Sequence, residues 1–227
     1  MIPVTTPLLK ICGLREPAQA TAIAALGADA IGVIAVPGSP RYVPPEQRAA
    51  LFAAMAAGRP AIAADRPDCF GVLVVADPGD DQLEELAAGQ GHAVVQLHGE
   101  ESAERCRELG GRLGVRLWKA LRVRTPEDLE RAAAYAGVVE ALLLDAWCPG
   151  QLGGTGHRIP IEWLEHFRPS MPWWLAGGVG PGTAGELLAR LRPDGLDASS
   201  ALEERPGVKD LARVASLVAA VRGSGGG

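Results

Sequence analysis

Eight short apolar runs recur along this chain, and the stretches between them have the character of helices. The runs are LLKIC (8–12), DAIGVIAV (29–36), FGVLVV (70–75), AVVQLH (93–98), VRLWKAL (115–121), ALLLDA (141–146), PWWLAGG (172–178) and GLDASS (195–200). Most are continuously apolar, as parallel strands covered on both faces should be. Between them lie Ala-rich amphipathic segments, for example PAQATAIAAL (17–26), PPEQRAALFAAMAA (44–57), DDQLEELAA (80–88) and PGTAGELLARL (181–191). Several open with proline, which suits a first helical turn. Thr125 of TPED is placed as an N-cap before LERAAAYA. Eight strand–helix units in 227 residues give about 28 residues each, which fits a single (β/α)8 TIM barrel of the α/β class better than an open sheet. The barrel is expected over residues 1–222, with a flexible Gly/Ser tail over 223–227.

Composition narrows the function classes. A net charge of −5 offers no basic face for nucleic acid. No apolar run approaches the roughly 20 residues needed to span a bilayer, and the first residues lack the pattern of a signal peptide. Neither a nucleic-acid nor a membrane partner is therefore expected. Cys12, Cys69, Cys106 and Cys148 are widely spread, with no Cys-x-x-Cys pair. This implies reduced thiols and a cytoplasmic location rather than a disulfide frame or zinc site.

In a barrel of this kind chemistry sits at the C-terminal ends of the strands. There the sequence places Cys12-Gly13 after strand one, Arg41 in PGSPRYV (37–43) after strand two, and His98 after strand four. Asp145 stands at the end of strand six, before the Gly-rich loop CPGQLGGTG (148–156) that holds Gly154. Gly177 and Gly178 follow strand seven, and Ser199 and Ser200 follow strand eight. The loops after strands seven and eight are where such barrels bind phosphate. Each candidate also has a purely structural reading: Cys12 as a small buried hydrophobe, Asp145 as a loop cap, Arg41 as a solvated loop residue, His98 as pocket wall. Cys69, Cys106 and Cys148 are read as bystanders.

LLKIC adds a finer constraint. Residues two apart on a strand share a face, so Leu9 and Ile11 should face the helices, with Lys10 and Cys12 toward the barrel axis. An unpaired buried ammonium is costly. Strand eight neighbours strand one in a closed barrel, which makes Asp197 the expected partner of Lys10. A nearby cation lowers a thiol pKa, so Lys10 is expected to help Cys12 act as a base.

Taken in order, the stretches KICGL (10–14), GADAIGV (27–33) with SPRYV (39–43), VQLHGEES (95–102), LWKALRV (117–123), LLLDAWCPGQLGGTG (142–156), LAGGVGPGT (175–183) and DASSALEERPGVKD (197–210) resemble the phosphoribosylanthranilate isomerase family. The resemblance implies conversion of N-(5-phosphoribosyl)anthranilate into 1-(2-carboxyphenylamino)-1-deoxyribulose 5-phosphate, an Amadori rearrangement with no metal or cofactor. It implies Cys12 as general base, Asp145 as general acid and Arg41 at the anthranilate end. Lys10, His98 and Asp197 join the substrate site, and Gly154, Gly177, Gly178, Ser199 and Ser200 the phosphate site.

The residues suit that chemistry. Ring opening needs a proton on the ring oxygen, which a carboxylic acid supplies. A base then removes the C2 proton, and the enolamine tautomerises to a ketone. Burial or nearby negative charge would keep such a carboxyl protonated. The chain departs from the family at Ala201, where Gly is common, at Val75, where Asn is common, and at Gly38, where a longer polar residue is common. Two alternatives remain: the histidine-pathway phosphoribosyl isomerase, which would be expected to carry Asp at strand one, and a catalytically silent phosphate-binding barrel. Oligomeric state stays open between monomer and homodimer.

Overall fold

The structure, a computed structural model, describes residues 6–58, 68–147 and 157–223. Eight parallel strands close into a barrel in sequence order: β1 (Leu8–Cys12), β2 (Ala30–Ile34), β3 (Phe70–Val75), β4 (Val94–Leu97), β5 (Arg116–Val123), β6 (Ala141–Ala146), β7 (Trp173–Leu175) and β8 (Gly195–Ala198). Closure is made by β8 pairing with β1, and the register sets Lys10 opposite Asp197. Around the barrel lie α1 (Pro17–Ala25), α2 (Pro45–Ala57), α3 (Leu83–Leu86), α4 (Ala103–Leu113), α5 (Ile161–Leu164), α6 (Ala184–Arg190) and α7 (Leu211–Gly223). A two-stranded hairpin, β9 (Glu203–Arg205) with β10 (Val208–Lys209), follows β8. Among the described residues no helix is long and apolar enough to cross a membrane.

Three strands run as the sequence implies, β1, β3 and β6. The run 172–178 is cut to three residues. Gly177 and Gly178 take φ of +85° and +66°, a left-handed backbone that ends an extended strand. The segment 80–88 divides into a 3-10 turn at Asp80–Gln82 and the single turn of α3. The helix expected after Thr125 is 3-10 in form over Pro126–Tyr135. Its start is tied by the Asp128 carboxylate, which accepts the backbone N–H groups of Arg124 and Thr125 at 2.8 and 3.0 Å. Gly223, assigned to the tail from sequence, closes α7, and 224–227 lie outside the described residues.

Side chains alternate between two cores. Leu9, Ile11, Leu73, Leu144 and Leu196 join Ile23, Leu51, Leu109 and Leu217 between the barrel and its helices. Ala30, Val72, Val94, Trp118, Leu143 and Trp174 fill the barrel itself. The rings of Trp118 and Trp174 lie 4.6 Å apart between centroids, and Gly195 leaves the space that Trp174 occupies. These bulky groups plug the N-terminal half of the barrel. Toward the C-terminal ends the inner positions become smaller and more polar, and a pocket opens there.

Candidate active site

The pocket is lined by Cys12, Arg41, His98, Asp145, Gly177, Gly178, Asp197, Ser199 and Ser200. Strand ends and the loops after them therefore bring together nine of the eleven site residues named from sequence. Lys10 lies beneath, fully buried. Gly154 lies outside the described residues.

The β1–β8 pairing builds the floor. Lys10 Nζ donates to Asp197 Oδ2 at 2.9 Å, with both side chains buried. Asp197 Oδ1 has no partner among the described residues. Cys12 stands one layer above Lys10 on the same face and is 6% exposed. Burial pushes its thiol pKa up. Lys10 and Lys209 pull it down, Asp197 adds to the rise, and the net shift is upward. The expectation that Lys10 favours the thiolate thus holds in sign but is outweighed by desolvation. Burial opposes charge on Lys10 too, but Asp197 prevails and raises its pKa.

β4 and β6 supply the facing wall. Gln96 Nε2 lies 2.9 Å from His98 Nδ1. With the amide donating, His98 Nδ1 is the acceptor and the ring proton resides on Nε2. That atom lies 3.4 Å from Asp145 Oδ2 and makes no hydrogen bond among the described residues. The β4 loop is fixed from below by a second buried pair. Lys119 Nζ donates to Glu101 Oε2 at 2.8 Å and to the Gly99 carbonyl at 2.7 Å, while Glu101 Oε1 accepts the Asp77 N–H at 2.7 Å.

Arg41 closes the rim between β2 and β8. Its Nε and Nη2 donate to Glu203 Oε1 and Oε2 at 2.8 and 2.7 Å. Lys209 Nζ donates to Glu203 Oε1 at 2.7 Å and to the Ser199 carbonyl at 3.2 Å. Burial alone would raise the Glu203 carboxyl, but these two cations bring it down to about 2. Ser199 Oγ donates to the Cys12 carbonyl at 3.0 Å, so its proton is engaged with the backbone. Val75 packs into the helix-side core. The departure at that position therefore removes nothing from the pocket, whose β3 contact is Val74. Ala201 does line the pocket.

Sequence reasoning passed over Gln96, Glu203 and Lys209. The first was readable, since it shares the inward face of β4 with His98. The other two sit in the hairpin beyond β8, where no periodicity tells which side chain turns inward.

A closed barrel with thiol, carboxyl and guanidinium groups converging in a pocket at its C-terminal rim places the chain in the class of (β/α)8-barrel enzymes. The family described as N-(5'phosphoribosyl)anthranilate (PRA) isomerase matches residues 9–220. A relative of that name from Synechocystis sp. is 45% identical over 210 residues, 92% of this chain and 93% of its own. Among solved structures, the phosphoribosyl anthranilate isomerase of Thermus thermophilus superposes with a TM-score of 0.78 at 33% identity, covering 95% of this chain and 98% of that one. Another such isomerase, solved in complex with reduced 1-(o-carboxyphenylamino)-1-deoxyribulose 5-phosphate, gives 0.75 at 28% identity, with 96% and 99% covered. The chain belongs to the N-(5'-phosphoribosyl)anthranilate isomerase family. It isomerises N-(5'-phosphoribosyl)anthranilate to the 1-deoxyribulose 5-phosphate in tryptophan biosynthesis; the histidine-pathway and silent-barrel alternatives are not favoured.

Proposed function

We propose that Cys12 is the general base and Asp145 the general acid of this rearrangement. The observation that carries the assignment is their placement on β1 and β6, lining one pocket at the same end of the barrel. Asp145 gives its proton to the ring oxygen of the bound sugar, the C1–O bond breaks, and the nitrogen lone pair forms the C1 imine. Cys12 thiolate takes the C2 proton, and the electrons of that bond move to give the enolamine. Tautomerisation then yields the C2 ketone. C1 is reduced as C2 is oxidised, so the step needs no outside oxidant or reductant.

The remaining site residues bind and orient. Arg41 takes the anthranilate carboxylate, a pairing its planar donors suit. Backbone N–H groups of Gly177, Gly178, Ser199 and Ser200, with Gly154, take the phosphate; Gly177 and Gly178 let the ligand approach the backbone closely. The Ser200 hydroxyl adds a donor. His98 lines the substrate pocket beside Asp145, and the Lys10–Asp197 pair supports Cys12. The bound compound of the related complex supports this division into a carboxylate end and a phosphate end. We read the chain as one cytoplasmic barrel domain over residues 1–222, working as a monomer or homodimer. A neighbour from Thermotoga maritima is described in its monomeric variants and as dimeric.

Turnover of N-(5'-phosphoribosyl)anthranilate by the purified chain tests the assignment. Cys12→Ala and Asp145→Asn should each lower kcat/KM by about 100-fold or more. A loss below about tenfold, under roughly 1.4 kcal/mol of transition-state stabilisation, would show that the roles are misassigned.

A further inference from the structure

Glu203 and Lys209 enter no step of the proposed reaction, yet they occupy the buried ground behind Arg41. Lys209 is fully buried and Glu203 is 5% exposed. Burying an ammonium is expensive. Glu203 alone, paired bidentately with Arg41, would cancel the guanidinium charge and leave little attraction for a second carboxylate. Lys209 changes that balance. Two cations now share one anion, so the triad keeps one positive charge in surplus. The bidentate pair also occupies only the side edge of the guanidinium, Nε and one Nη2 hydrogen. Nη1 makes no hydrogen bond among the described residues, and Arg41 lines the pocket. The end-on edge is left for a ligand.

We propose that Glu203 and Lys209 determine specificity through charge: with Arg41 they hold the triad at one net positive charge, so that the pocket selects a ligand whose aromatic end bears a carboxylate. This rests on the reading of Arg41 as the carboxylate contact. It makes the hairpin β9–β10 part of substrate selection. The same hairpin is anchored independently of Arg41, because Gln19 of α1 bonds the backbone N–H and carbonyl of Lys209 at 3.0 and 2.9 Å.

The test is calorimetric binding of two ligands. One is reduced 1-(o-carboxyphenylamino)-1-deoxyribulose 5-phosphate; the other is the same compound without the ring carboxylate. The readout is the ratio of their Kd values, which a general loosening of the fold would not move. Wild-type protein should prefer the carboxylate ligand. Lys209→Met takes the triad to zero charge and should cut that preference about tenfold, the size expected of one unit charge at close range in a partly wetted site. The double variant Lys209→Met with Glu203→Gln restores the surplus and should return the preference to within about threefold of wild type. Glu203→Gln alone leaves the surplus at one or more and should not lower the preference. A preference that falls in Glu203→Gln, or that fails to recover in the double variant, overturns the proposal. If Lys209→Met does not fold, those two variants still decide. Wild-type protein that binds both ligands equally overturns the inference alone, whereas wild-type protein that binds neither overturns the reading of the site.

Discussion

Gly32 of β2 stands opposite Cys12 in the β1–β2 register. A methyl group there would come within 2.6 Å of Cys12 Sγ and 3.0 Å of Lys10 Cε. Its backbone is ordinary strand, so the missing side chain matters here and not conformational freedom. The hydrogen at Gly32 is what lets the thiol and the ammonium stack along one strand face. Gly32→Ala should push Sγ off its line to the substrate. A displacement near 1 Å in an acid–base group costs on the order of 100-fold in rate, so kcat should fall by about that factor while the barrel remains folded. Steady-state kinetics beside a thermal melt checks this. Retention of more than about a third of wild-type kcat would show that Cys12 shifts without consequence. Nothing in GADAIGV distinguishes this glycine from one in a turn; only the strand register does.

At the scale of the element, β1 and β8 act together. The Lys10–Asp197 pair lies on the face that also carries Cys12, and of its two members Lys10 has the larger effect on the thiol. The pair as a whole therefore lowers the Cys12 pKa, against a burial effect that raises it. Removing one partner would strand a buried charge, at a cost of about 3–5 kcal/mol. Lys10→Met with Asp197→Asn removes both. In the double variant the thiol should rise further, and the limb of the kcat/KM profile that climbs with pH should move to higher pH. A limb that stays in place, or moves to lower pH, would show that the pair supports the strand without tuning the base. This pair was legible in LLKIC and GLDASS because a two-residue period and closure of the barrel fix which side chains meet. The extents of β1, β3 and β6 were legible for the related reason that a buried parallel strand is a continuous apolar run. The end of β7 was not, since φ at Gly177 and Gly178 is set by the turn and leaves no mark in a run of small residues. The 3-10 form of Pro126–Tyr135 was hidden too, because its composition suits either helix.

Across the whole molecule the seam between the first and last strands is tied at both ends. At the N-terminal end of the barrel, Arg222 of α7 donates to the carbonyls of Pro7 and Gly27, each at 3.0 Å, and to Asp29 Oδ2 at 2.7 Å. The same carboxylate oxygen accepts the Leu9 N–H at 2.7 Å. At the C-terminal end, Glu203 collects Arg41 from the loop after β2, Lys209 from β10 and the Gly207 N–H at 3.1 Å. Partners 162 residues apart, such as Arg41 and Glu203, leave no local trace in a sequence, which is why this tie was missed. It makes closure of the barrel sensitive to acid. The carboxyl of Glu203 sits at about 2 in the folded chain against an ordinary 4.5. A depressed carboxyl contributes stability above its unfolded value and loses it as pH falls toward the folded one. The contribution should therefore be complete above about pH 4.5 and drain away between about 4.5 and 2. Glu203→Gln lacks it at every pH. Urea midpoints of the two proteins should differ most at neutral pH and converge as pH falls through that window, because only the wild type has this carboxylate to protonate. A gap that stays constant down to pH 2 would mean that Glu203 is not held ionised by its two cations, and the tie at the top of the seam would then rest on packing instead of charge.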